Sequence, residues 1–102
     1  MRNLNRVILY RHEFRIIKIN SSYILYNSNK PFSNGHTHLQ KFNSCISIIK
    51  LIERKGIPKN RSKYFIESIL RVSDDRKYNE KLEDLFIDFK EMMENNNDII
   101  IR

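Results

Sequence analysis

The chain has 102 residues, 40% hydrophobic and 30% charged, with a formal net charge of +7. A domain of this size buries roughly two-thirds of the surface its unfolded chain exposes, so one core without metal or disulfide suffices. No apolar run approaches the ~18 residues of a membrane span, the patch Val7–Tyr10 is too short for a signal-peptide core, and a single cysteine excludes an internal disulfide and fits a reducing cytoplasm.

Residues 6–19, RVILYRHEFRIIKI, are rich in β-branched and aromatic side chains. With Tyr23–Tyr26 beyond Asn20-Ser21-Ser22 they predict an antiparallel β-hairpin. Phe14, Ile16 and Lys18 share one face, Ile17 and Ile19 the other. Val7–Tyr10 is a preceding short strand, separate or continuous, so the sheet has two or three strands. Asn27–Asn34, NSNKPFSN, reads as a loop.

The central helix is expected from about Thr37 to Lys55. Thr37 with Gln40 has capping-box spacing. Leu39, Phe42, Ile46, Ile49 and Ile52 form the inward stripe, widened by Cys45, Ile48 and Leu51. Gly56 is the expected left-handed stop and Pro58 prevents continuation. Residues 60–73 read as a second helix with Phe65, Ile66, Ile69 and Leu70 inward. Ser73-Asp74-Asp75 interrupts it and caps a third, from Arg76 to about Glu94. That helix has Tyr78, Leu82, Leu85, Phe86, Phe89, Met92 and Met93 on one face and Glu80, Glu83, Asp84, Asp88 and Glu91 on the other. Ile99–Ile101 is a short added strand or a frayed end. The fold class is α+β: an N-terminal antiparallel hairpin packed on three helices in a single domain. An exposed edge strand in the hairpin or in Ile99–Ile101 would support a homodimer.

Charge is unevenly placed. Residues 1–63 carry thirteen Lys/Arg against two acids, a net of +11, and residues 64–102 carry six against ten, a net of −4. The densest cluster is Lys50, Arg54, Lys55, Lys59, Arg61 and Lys63, opposed only by Glu53. It wraps one helix end, a Gly-Ile-Pro turn and the next helix start, whose free N–H groups also attract anions. Arg2, Arg6, Arg11 and Arg15 extend it, with Tyr10 and Tyr64 available for stacking. An anionic partner competes evenly here with a solvated charged turn.

His36 and His38 are two apart, and His12 and Cys45 would complete a zinc site, but no recognised ligand spacing is present. No metal and no cofactor is expected, and His38 is placed in the first helical turn. One His-x-Thr element does not make a phosphodiesterase, which needs two. No Gly-x-Ser-x-Gly turn or glycine-rich phosphate loop occurs, so no enzyme activity is expected. Cys45 among isoleucines reads as core.

Two resemblances follow from these residues. LIERKGIPKNRSKYFIESIL, residues 51–70, resembles a helix-turn-helix, with Gly56 in the turn and Lys59–Lys63 entering a recognition helix. It departs from that pattern at Ile52, where a small residue is usual, and at Ser62, where an apolar one is. It implies a small DNA- or RNA-binding regulator. The whole chain, hairpin then helices, strongly charged and without catalytic motifs, is similar to small accessory proteins of phages and mobile elements, the anti-CRISPR and other anti-defence proteins among them. Isoleucine, asparagine and lysine exceed a third of the residues and alanine is absent, a usage that points to an AT-rich, low-GC bacterial genome. The resemblance implies a non-enzymatic inhibitor in the host cytoplasm. Its partner would be a defence complex such as a Cas effector, met through protein or guide RNA by the basic residues above.

Overall fold

The computed structural model describes residues 6–59 and 62–85. The fold is α+β. Four strands form an antiparallel meander in the order β1 (Arg6–Arg11), β2 (Phe14–Ile19), β3 (Ser22–Asn27) and β4 (His36–Leu39). Helices α1 (Phe42–Arg54), α2 (Lys63–Val72) and α3, residues 76–85, follow. The expected two or three strands are four.

Both tight turns are two residues long, His12-Glu13 and Asn20-Ser21, between the closing pairs Arg11↔Phe14 and Ile19↔Ser22. His12 and Asn20 have φ of 54° and 52°, at the first turn position where a type II′ hairpin needs positive φ. The alternation in β2 holds: Phe14 and Ile16 are buried, Ile17 and Ile19 are half-buried. One core cluster joins Phe14, Ile16 and Leu25 of the sheet to Cys45, Ile48, Ile49 and Ile52 of α1, Ile69 and Val72 of α2, and Tyr78 and Leu82 of α3. The described helices therefore share one face of the sheet. Fully burying a side chain of this size contributes ~1.5–3 kcal/mol.

The start of the central helix is the main correction. Residues 36–39 are not a capped first turn but the edge strand β4, and α1 begins at Phe42 behind Lys41, which makes no side-chain cap. Leu25↔Thr37 and Tyr23↔Leu39 pair across the sheet. Thr37 is buried, and its hydroxyl donates to Ser68 Oγ at 2.8 Å rather than serving Gln40. A capping box competes here with a four-residue ladder plus burial of Thr37, and the ladder wins. His38 is accordingly on a strand, and Leu39 leaves the helical stripe.

The stop of α1 is also shifted by one residue. Lys55, not Gly56, takes the left-handed conformation, at φ 55°. Its N–H donates to Ile52 O, and Gly56 N–H donates to Leu51 O at 2.8 Å, the paired closure of a Schellman motif. Gly56 has no positive φ; a Cβ there would stand 3.2 Å from Leu51 Cδ2.

α2 is tied to the β3–β4 connection by its C-terminal carbonyls. Buried Asn27 Nδ2 donates to Val72 O at 2.9 Å. Lys30 Nζ donates to Arg71 O at 2.8 Å and Ser73 O at 3.3 Å, a cation at the negative end of the helix dipole. The Arg71 guanidinium returns to His36 O at 2.7 Å and Ser33 O at 3.3 Å. The expected cap of the third helix is present, Asp75 Oδ1 accepting from Tyr78 N–H at 3.0 Å. Asn60 and Arg61, the expected continuation of α3 beyond Leu85, and Ile99–Ile101 lie outside the described residues. No described helix is long and apolar enough to cross a membrane.

Candidate anion-binding surface

The surface is built around the eight residues, 55–62, that connect Arg54 to Lys63. Pro58 is buried and anchors the connection, while Lys59 is exposed. Ser62 starts α2 by accepting from Phe65 N–H at 3.2 Å. Lys50 and Arg54 are four apart on the exposed stripe of α1, and Lys63 and Tyr64 open α2. Tyr64 is 81% exposed.

Two of the expected cations are already spent. Arg11 holds Glu53 through two bonds, Nε to Oε2 at 2.8 Å and Nη2 to Oε1 at 2.9 Å. That hydrogen bonding, ahead of the Arg11 charge, keeps the Glu53 carboxyl below its ordinary range, with His12 and Lys50 adding to it. Lys55 Nζ pairs with Asp75. Its hydrogen bond, followed by the Tyr78 N–H, lowers the Asp75 carboxyl. Tyr78 is buried beside this pair and donates its hydroxyl to Gly56 O at 2.8 Å. Burial first, then the Asp75 charge, pushes its pKa up to about 12. Arg15 is folded inward: Nη1 donates to His12 O at 2.6 Å and Phe14 O at 2.9 Å, and Cζ lies 4.8 Å over the Tyr10 ring.

Lys50, Arg54, Lys59 and Lys63 remain exposed and make no ion pair among the described residues. Of the described carboxylates that adjoin the connection, Glu53 and Asp75 are neutralised by Arg11 and Lys55, and Glu67 stands one turn after Lys63 on α2. Among the described residues the exposed positive charge is therefore in excess, an arrangement that favours phosphate or carboxylate groups of a partner. Arg61 and Arg2 lie outside the described residues. Arg6 begins β1, opposite Lys18. Beside this surface a groove of about 500 Å³ runs between β4 and α2, with Leu39, Phe65 and Ser68 in its wall.

The histidines do not gather ligands. His36 and His38 share one side of β4 with ring centroids 5.1 Å apart. His36 is stacked on Phe32 at 4.3 Å and 2°, with Nδ1 within hydrogen-bonding distance of Phe32 O. That carbonyl only accepts, so Nδ1 carries the proton. His12 is instead beside Glu53, Nε2 at 3.6 Å from Oε2. Cys45 is on the opposite, buried side, where burial raises its thiol pKa to about 11. Among the described residues no three His, Cys, Asp or Glu side chains are grouped to hold a metal ion.

Reading by residue spacing missed the roles of Tyr26 and Phe32, which pack with His36 at the β3–β4 end of the sheet. The alternation in His36-Thr37-His38-Leu39 was the available signal. The helix-turn-helix resemblance meets a longer connection than the three or four residues such a turn uses, and Ser62 serves as a cap. The chain matches no protein-family model, no curated protein and no solved structure.

Proposed function

We propose that the chain is a non-enzymatic binding protein, encoded by a phage or mobile element of a low-GC bacterium, that inhibits a defence nucleoprotein such as a Cas effector. It does so by occupying an anionic surface of that complex with Lys50, Arg54, Lys59 and Lys63. The observation that carries the reading is the excess charge: among the described residues these four cations are exposed and make no ion pair, while the adjoining Glu53 and Asp75 are consumed internally. The class of target rests on the likeness in size, charge, layout and residue usage to anti-defence proteins. Buried Cys45, with its raised pKa, is unsuited to nucleophilic catalysis.

The test is a plaque assay in a host carrying a phage-targeting defence system, with affinity capture of the tagged chain from the same cells. Inhibition together with capture of the defence complex is expected. Reversing the four cations to glutamate should abolish both while the fold, followed by circular dichroism, survives. A quadruple variant that still inhibits would sink the basic-surface reading. Sequence-specific binding of duplex DNA, without capture of a defence complex, would replace it with the regulator reading.

A further inference from the structure

Strand register decides which side chains stand in rows across the sheet, because directly opposed residues project to the same face. The pairings Tyr10↔Arg15, Arg15↔Tyr26 and Tyr26↔His36 put Tyr10, Arg15, Tyr26 and His36 in one row that crosses all four strands. Phe14 and Ile16, which face the helices, flank Arg15 in β2, so the row lies on the opposite face. With three strand intervals of ~4.8 Å it is roughly 14 Å long. Phe32 extends it, parallel to His36 at 4.3 Å and edge-on to Tyr26 at 5.5 Å. At the other end the Arg15 guanidinium covers one side of Tyr10.

Every member of this row is a planar π group, and the inner members hold the outer ones in place. The ends are open: Tyr10 is 69% exposed and Phe32 48%. The neighbouring row, Val7, Ile17, Ile24 and His38, is apolar as far as His38. Arg15 is the cation of this row: Arg6 and Lys18 oppose each other on the side of Phe14 and Ile16, Arg11 is bound to Glu53, and Lys30 to the carbonyls that end α2.

Exposed, pre-positioned aromatic faces beside the Arg15 guanidinium, which makes no ion pair among the described residues, match a nucleobase joined to a phosphate. Any base offers a π-face, so such a platform needs no sequence code. A duplex hides its base faces in the stack, which leaves unpaired strands as the fitting ligand. A second copy would bring net +7 against net +7.

We propose that the open face of the sheet binds single-stranded nucleic acid. Bases stack on Tyr10 and Phe32 at the two ends of the Tyr10–Arg15–Tyr26–His36 row, and Arg15 meets a phosphate. This site is separate from the four cations of the α1–α2 connection and does not depend on a defence target.

The experiment is fluorescence anisotropy of the full chain with labelled oligouridine and oligodeoxyuridine of about a dozen nucleotides, against a duplex of equal length. Binding of either single strand more tightly than duplex is expected, and a preference between the two names the sugar. Tyr10→Ala and Phe32→Ala should each weaken binding by roughly 5- to 150-fold, with an unchanged salt slope because no phosphate contact is lost. The chain has no tryptophan, so Tyr10→Trp supplies a single reporter that keeps a ring in place; its fluorescence should be quenched by the oligonucleotide. Absence of single-strand binding, equal affinity for duplex, indifference to both alanine variants, or an unquenched tryptophan at saturation overturns the proposal. Loss of a protein partner on Tyr10→Ala with no oligonucleotide binding also overturns it, and assigns the face to protein instead.

Discussion

Asn27→Ala is the sharpest probe of how the sheet holds α2. Asn27 is fully buried at the end of β3. Its Nδ2 donates to Val72 O at 2.9 Å, and its Oδ1 accepts from Asn29 N–H at 2.7 Å. Truncation strips the Val72 carbonyl of this donor at a helix end; an orphaned buried acceptor costs about 1–3 kcal/mol. The Asn29 amide is partly exposed and recovers water, so its loss adds about 0.5–1 kcal/mol. The expected loss is ~1.5–4 kcal/mol, or roughly 6–20 °C in melting temperature for a domain near 100 residues. Urea unfolding followed by far-ultraviolet circular dichroism measures it. Asn27→Asp sharpens the reasoning. The carboxylate keeps the acceptor for Asn29 but sets negative charge against the Val72 carbonyl. Burial raises its folded pKa above the unfolded value, so protonation favours folding and the penalty shrinks as pH falls. The protonated acid also regains a donor for Val72. If Asn27→Ala loses under 0.5 kcal/mol, or Asn27→Asp shows no pH dependence relative to it, the account of this contact is wrong.

Ile49→Asp places a charge in the centre of the core and should leave no cooperative unfolding transition, whereas Arg54→Glu should shift stability by less than about 0.5 kcal/mol; thermal melts of the two distinguish core from surface. Glu53 and Asp75 have depressed pKa values in the fold. Their contribution is therefore present above the unfolded carboxylate range and disappears as pH falls through the folded values. Arg11→Met and Lys55→Met should make acid unfolding begin at higher pH than in the parent chain, read by circular dichroism during acid titration; unchanged acid profiles would show that the pairs contribute nothing. Cys45, with its thiol pushed up to about 11, should resist alkylation at neutral pH until urea unfolds the chain, checked by mass spectrometry. Gly35→Ala should destabilise, because a Cβ there would stand 2.7 Å from Lys30 Cβ and 3.0 Å from Pro31 O, and a melting temperature equal to that of the parent would contradict that contact.

What local chemistry controls was legible in the chain. Alternation in Phe14–Ile19 and the Asn20-Ser21 turn determine β2 and β3, and the Ile-rich three-and-four spacing determines α1, with Cys45 in the core. Ser73-Asp74-Asp75 separates α2 from α3 through a cap made within three residues. The uneven charge and the exposed lysines around the α1–α2 connection also follow from composition and spacing. Tertiary structure decided what depends on partners far along the chain. Thr37 is a strand residue because Leu25 and Ser68 claim it, against the local capping signal. Arg11 and Lys55 leave the available charge because Glu53, 42 residues from Arg11, and Asp75 capture them. The row from Tyr10 to His36 exists only through register across four strands. Helical stripes and turns arise from neighbours within a few residues, whereas a ladder, an ion pair or a cross-sheet row is set by the closure of long loops, whose energies no short window of sequence contains.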